Sequence, residues 1–362
     1  MALKRSEQPV RIAFFLVPQF SMMSFAAAVE PLRSANRAAA RPLFEWVLAS
    51  ADGAPVTASN GISVAVAGTL EALVKATTAT AGNATTATAG NATTATGSEL
   101  AGAKLDMVLV CSGLDTPQYP TVYPLLRRLN RHGALIGGIS TGPFVLAEAG
   151  LLHGKKCTVH WEYADAFRAR YPQLDLRQDL YVIDGDVLTC SGGTAALDMM
   201  LHIVKQVAGT HLALSVAEQF IHSRIRERED HQRLDLHARY GIDHPKLIQA
   251  IARMERTLDN PLEMAEFARE ANLSIRQLER LFRQYLDTSP QAFYRQLRLA
   301  RARTLLRYTL TPLRMVALDC GFESTSHFCH AYKRVYGIPP THERPSRSTK
   351  GHPTLSGLPV TL

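Results

Sequence analysis

The chain has no apolar run near the roughly 18–20 residues needed to span a bilayer. Its run at 12–17 stops at Pro18, and no cleavable leader pattern comes before it. A cytoplasmic location with no membrane partner is therefore expected. Cysteine is scarce: five, an odd number, at Cys111, Cys157, Cys190, Cys320 and Cys329, without the paired spacing that zinc or redox sites use. They read as reduced thiols, and neither a metal nor a cofactor is expected. Charged residues make up only 20% of the 362, against 46% apolar. Those proportions are ordinary for a globular chain and exclude wholesale disorder, a collagen rod and a coiled-coil rod. At roughly 150 residues per domain, the length suggests two domains.

The charge that is present is unevenly placed. The net charge is +8, and residues 276–347 hold thirteen basic against five acidic side chains, the same surplus of eight. A near-neutral first part joined to a basic last part suits a phosphate-binding module tethered to something else, because neutralising phosphates releases counterions. A solvated Arg-rich helix face would look the same on charge alone.

Short apolar runs at 11–17, 46–49, 107–110, 134–139, 158–160 and 187–190 alternate with helix-like stretches at 25–40, 143–152, 163–171 and 195–207. This alternation predicts an open, mostly parallel α/β sheet covered on both faces. Residues 77–92 are an eight-residue Thr/Ala/Gly/Asn unit repeated twice, with half a third copy after it. Having no charge and no large apolar side chain, the segment 76–98 is expected to be a disordered insertion. The glycosylation-type triplets at Asn83 and Asn91 are chance matches. After residue 207 the pattern turns helical, with a linker helix expected over 211–245 and a boundary at the Gly241–Pro245 punctuation.

Helical spacing at 262–270 breaks at Asn272, and Ser274 with Gln277 three residues on is a capping box. The helix it opens turns Leu278, Leu281 and Phe282 inward. It turns Arg276, Gln277, Glu279, Arg280 and Arg283 outward, the arrangement of a helix that enters a major groove. A second unit repeats the plan: a helix at 312–318, a Gly-containing turn at 319–322 and a helix at 324–336. In it Phe328, Ala331 and Tyr332 point inward, with Thr325, Ser326, His327, Cys329, His330, Lys333 and Arg334 on the other side. The helix between the units, 291–308, is about 27 Å long, comparable to the roughly 34 Å between successive major-groove faces. Two readers on one rod are expected to engage one side of a duplex.

Residues 265–344 resemble the AraC-type DNA-binding domain. The match is carried by Ser274-Ile275-Arg276-Gln277-Leu278-Glu279-Arg280-Leu281-Phe282, the turn Ala317-Leu318-Asp319-Cys320-Gly321-Phe322, and Tyr336-Gly337-Ile338-Pro339-Pro340. In the first part, Gly138-Ile139-Ser140-Thr141-Gly142 spells a nucleophile elbow between strand and helix. Together with Thr158-Val159-His160-Trp161 and Ser191-Gly192-Gly193-Thr194, it resembles the PfpI-type class I glutamine amidotransferase-like domain, which has a flavodoxin-like sheet. The two domains in this order are those of the GlxA-like group of transcriptional regulators. Enzymatic relatives place a cysteine at the elbow and an acidic residue after the first strand. Here those positions read Ser140 and Ser21-Met22-Met23-Ser24, which argues against catalysis.

The expectation is thus a ligand-responsive, sequence-specific DNA-binding regulator and not an enzyme. It is an α/β domain over 1–210, followed by the linker, an all-α tandem helix-turn-helix domain over 246–345 and a flexible tail over 346–362. The alternative is an amidohydrolase or esterase using Ser140, with a DNA-binding appendage. A non-specific nucleic-acid chaperone would bind without regard to sequence. The crevice at the strands' carboxyl ends is the expected effector site, lined by Phe20, Ser112, Gly113, Ser140, Thr141, His160, Trp161 and Thr194, with main-chain amides at the elbow suited to a carboxylate. Within the group, the look is that of regulators of quaternary-amine or arginine catabolism. Trp161, Trp46 and Phe20 are candidate faces for a quaternary ammonium. The expected partners are promoter DNA, a small-molecule effector, RNA polymerase for an activator, and a second copy of the chain.

Overall fold

Runs rich in Val, Ile, Leu and Phe fold here as strands buried on both faces, as a parallel sheet requires. The structure, a computed structural model, describes residues 8–79, 104–114 and 118–344. The repeat from residue 80 onward and the tail expected at 346–362 lie outside them. Two compact units are present, Met1–Gln232 and Arg233–Leu362.

The first unit runs β1 (Val10–Leu16), α1 (Met22–Ala39), β2 (Phe44–Ser50), β3 (Val56–Thr57), β4 (Ser63–Val64), β5 (Gly68–Thr69), α2 (Leu70–Ala79) and β6 (Met107–Cys111). It continues α3 (Tyr123–Arg131), β7 (Leu135–Ile139), α4 (Gly142–Glu148), β8 (Lys156–Thr158), α5 (Ala164–Arg170), β9 (Asp175–Arg177), β10 (Tyr181–Asp184), β11 (Val187–Cys190), α6 (Ala195–Ala208) and α7 (Thr210–Gln219). The seven-stranded sheet has the order β10-β11-β7-β6-β1-β2-β5. Its pairings are parallel except β10 with β11. Ile12, Phe14 and Leu16 of β1 share a core with Leu32 of α1, Met199 of α6 and Val216 of α7. The carboxyl ends of β6, β7 and β11 come into line, with Cys111 opposite Ile139 and Ile139 opposite Cys190. The elbow stands there.

The linker helix expected over 211–245 is not formed. Helix α7 stops at Gln219, and residues 220–235 are irregular. Side chains and main chain of this stretch are engaged elsewhere. Asp198 of α6, with 0% of its surface exposed, accepts from the Arg226 main-chain N–H (2.8 Å), Nε (2.9 Å) and Nη2 (2.7 Å), and lies 2.8 Å from His222 Nε2. The Arg228 carbonyl accepts from Leu180 N–H at 2.8 Å. Gln232 Nε2 sits 2.8–3.1 Å from Thr158 Oγ1, Val159 O and Asp179 O. The charge run is a strap across the sheet domain, where a solvated helix was expected, and the first unit extends past 210.

The second unit is all helical: α8 (Leu236–Tyr240), α9 (Pro245–Arg256), α10 (Met264–Glu270), α11 (Ile275–Leu286), α12 (Pro290–Tyr308), α13 (Leu313–Asp319) and α14 (Thr325–Tyr336). It begins ahead of the expected boundary because Leu236 and Tyr240 pack on its core, Tyr240 edge-on to Phe293 at 5.6 Å. There are two cores. One gathers Leu247, Ile251, Phe267, Leu278 and Phe282, the other Val316, Phe322, Phe328 and Tyr332. Helix α12 supplies Phe293 and Tyr294 to the first and Leu299, Ala302, Leu305 and Leu306 to the second.

Candidate functional site

Ser140 holds the turn between β7 and α4 with φ +63°, a left-handed conformation that a non-glycine residue adopts only where its surroundings impose it. Its N–H donates to the Cys190 carbonyl (2.9 Å), and its own carbonyl accepts from His160 N–H (3.3 Å). Gly192, itself at φ +90°, passes so close that a Cβ there would lie 2.8 Å from Ser140 Cβ and 3.0 Å from Ser24 Oγ. Ser24 Oγ accepts from Gly193 N–H at 2.7 Å and donates to Ser21 Oγ at 2.9 Å. The loop after β1 thus brings two serine hydroxyls beside the elbow, at the place where the enzymatic pattern wants a carboxylate. Ser24 was not foreseen; capping by Ser21 at the start of α1 is the local signal that orients this turn.

The expected effector residues divide into two groups. Thr141 is fully buried, its hydroxyl donating to the Gly113 carbonyl (2.8 Å) and lying 2.9 Å from Ser112 Oγ. These three tie the exit of β6 to the elbow. Phe20 is also fully buried: it bridges to Gly113 and packs edge-on against Phe25 at 5.6 Å. It is core, not the accessible wall expected of it. Trp46 is core as well, paired in register with Ile12 on a strand three removed from β7. The amides of Ser140 and Gly193, two of the donors expected to face a carboxylate, are engaged within the protein, by the Cys190 carbonyl and by Ser24 Oγ. Thr194 is exposed, and its hydroxyl accepts from Arg226 Nη2 at 2.7 Å.

That leaves Ser140, His160 and Trp161, which lie together at the elbow. The run at 158–160 was expected as a strand. Instead β8 ends at Thr158, and His160 caps the short 3-10 turn Trp161–Tyr163, its Nδ1 accepting from Glu162 N–H (3.4 Å). The His160 ring lies 5.5 Å from Trp161 and 5.9 Å from Tyr163. Burial lowers its pKa to about 4, so the imidazole is neutral at pH 7. Trp161 is 43% exposed. Burial also raises the thiols of Cys157 and Cys190, each to about 12, and that of Cys111 further, which removes them as nucleophiles.

In the second unit the capping box forms as its spacing predicts: Ser274 Oγ accepts from Gln277 N–H (3.2 Å), and Gln277 Oε1 accepts from Ser274 N–H (2.8 Å). The carbonyl of Gln277 is thereby engaged in holding the helix end. Arg276, Glu279, Arg280 and Arg283 are exposed along α11, with Leu278, Leu281 and Phe282 buried beneath. Ser324 caps α14 by accepting from His327 N–H at 3.2 Å. Ser326, His327, His330, Lys333 and Arg334 are exposed, while Thr325 and Cys329 are half-buried. A shallow hollow of about 410 Å³ at the other end of the first unit, lined by Arg41, Leu43 and Val207 among others, is remote from the elbow strand ends. One of about 300 Å³ lies on α14 itself, between Thr325, Ser326, Cys329, His330, Lys333 and Pro339. Among the described residues no cluster of His, Cys, Asp or Glu could hold a metal ion, and no helix is long and apolar enough to cross a membrane.

Residues 10–206 match the DJ-1/PfpI family, and residues 267–345 match a helix-turn-helix domain. The chain is 44% identical over 333 residues to the HTH-type transcriptional regulator CdhR of Pseudomonas aeruginosa, covering 91% of this chain and 90% of that protein. It is 38% identical over 360 residues to the HTH-type transcriptional regulator GbdR of the same species, covering 99% and 88%. To the HTH-type transcriptional regulator GlxA of Rhizobium meliloti it is 37% identical over 333 residues, covering 91% and 94%.

Proposed function

The chain belongs to the DJ-1/PfpI family, in the group of GlxA-like transcriptional regulators that carry an AraC-type helix-turn-helix domain, and from that premise we propose how it senses and what it contacts. It is a DNA-binding transcriptional regulator, and not an enzyme, as its full-length relatives are. Its location is the cytoplasm. Helices α11 and α14 enter successive major-groove faces, with Arg276, Arg280 and Arg283 on the first and Ser326, His327, His330, Lys333 and Arg334 on the second. The observation that carries this reading is the pair of side-chain-capped helices, each with its apolar residues buried and its polar face open.

The elbow mouth takes a small effector without transforming it. A quaternary amine fits the exposed Trp161 face by cation–π attraction, and a neutral His160 beside it adds no opposing charge. An amino acid such as arginine presents a cation to the same face. Effector binding favours the arrangement in which the protein engages its promoter as a homodimer and recruits RNA polymerase as an activator. The coupling is bounded by the effector's differential affinity for the two arrangements. Calorimetry with glycine betaine, carnitine, choline and arginine tests the site. One of them is expected to bind, and Trp161→Ala to weaken it by about 0.5–2 kcal/mol. Equal affinity in the variant removes the aromatic contact, and no binding by any of the four removes the assignment.

A further inference from the structure

The two cores of the helical unit share one rod, and a single side chain sits where one core gives way to the other. Along α12, Tyr294 belongs to the first core and Leu299 to the second, with Arg298 between them. Arg298 Nε donates to the Cys320 carbonyl at 2.7 Å, and Nη2 donates to the Gly321 carbonyl. Its guanidinium lies 4.2 Å from the centre of the Phe322 ring and 5.8 Å from that of Tyr294. The fork therefore holds the turn of the second corner, residues 319–322, against the rod, and only a planar, multi-donor cation satisfies both carbonyls and the ring at once.

A third element meets them. Gly321 has φ +73°, and a Cβ there would collide with the ring of Pro261 and lie 3.4 Å from Arg298 Nε. Pro261 leads into α10, the opening helix of the first corner. The entry of one corner and the rod's Arg298 thus both close on Gly321, in the turn of the other corner.

We propose that Arg298 is the positioning residue that fixes the offset between α11 and α14, and with it the number of base pairs separating the two half-sites the protein accepts. This rests on the reading that both helices enter the duplex. One extra base pair moves a half-site by about 3.4 Å and turns it by about 35°, a change that a clasped rod does not follow and an unclasped one does.

The test is selection from a random duplex library by the full chain, with wild type, Arg298→Met and Arg298→Lys in parallel and folding checked by circular dichroism. Wild type is expected to enrich two half-sites at a single spacing. Arg298→Met should enrich the same half-site sequences spread over at least three neighbouring spacings. Arg298→Lys, which keeps the charge over Phe322 but not the fork, should fall between, and it carries the test alone if the methionine variant does not stay folded. The same single spacing in a folded variant overturns the inference, as does a folded variant that enriches altered half-sites or none. A wild type that enriches one half-site alone defeats the two-reader reading as well.

Discussion

His160 shows how one residue's surroundings decide its part. Desolvation holds its pKa at about 4, below the ordinary value of 6.5. Below pH 6.5 the unfolded chain therefore takes up a proton at this site that the folded chain refuses. The stability contributed by the neutral ring is complete above pH 6.5 and is lost as pH falls toward 4. The loss reaches on the order of 2–3 kcal/mol at the low end. His202, also held low by burial and nearby cations, adds in the same direction. Denaturant melts of wild type and His160→Gln at pH 7.5, 6, 5 and 4.5 isolate the site: the stability difference between the two proteins should shrink as pH falls. A difference independent of pH would mean that the ring is not held neutral by burial. The position of His160 beside Trp161 was legible in the sequence, because the pair are chain neighbours. Its role as cap of a 3-10 turn was not, because that depends on where β8 stops.

At the scale of elements, the local signals were readable and the long-range ones were not. The apolar runs that became β1, β6, β7 and β11, and the Ser274 capping box, depend on residues a few positions apart. The antiparallel edge strand β10 and the β8–β9 pair are three or four residues long, too short to carry a period. The strap over 220–232 went unrecognised because it is fixed by Asp198, 28 residues from Arg226. One sign of it was present: an aspartate in a helix whose neighbours Met199, Met200 and Leu201 are all core. A fully buried carboxylate paired with the Arg226 guanidinium is costly to break from one side, by about 3–5 kcal/mol. Asp198→Asn should therefore release the strap, with trypsin cleaving at Arg224, Arg226 and Arg228 many times faster than in wild type. Unchanged cleavage would show that the strap is held by its other contacts, from Arg228 and Gln232, without the ion pair.

For the whole molecule, the basic surplus belongs to the second unit, and the first unit carries the elbow and the strap. The sequence resemblance anticipated this division. The structure adds that the elbow keeps its left-handed turn at Ser140, with the Ser21 and Ser24 hydroxyls beside it and His160 Nδ1 accepting from a main-chain N–H.

The central claim is that the exposed arginines of α11 read base edges. The most direct measurement is the affinity of wild type and Arg280→Ala, at one fixed salt concentration, for a selected site and for a scrambled duplex of equal length. A loss of about 1–3 kcal/mol at the selected site, with far less on the scrambled duplex, is the predicted result. An equal loss on both would contradict it.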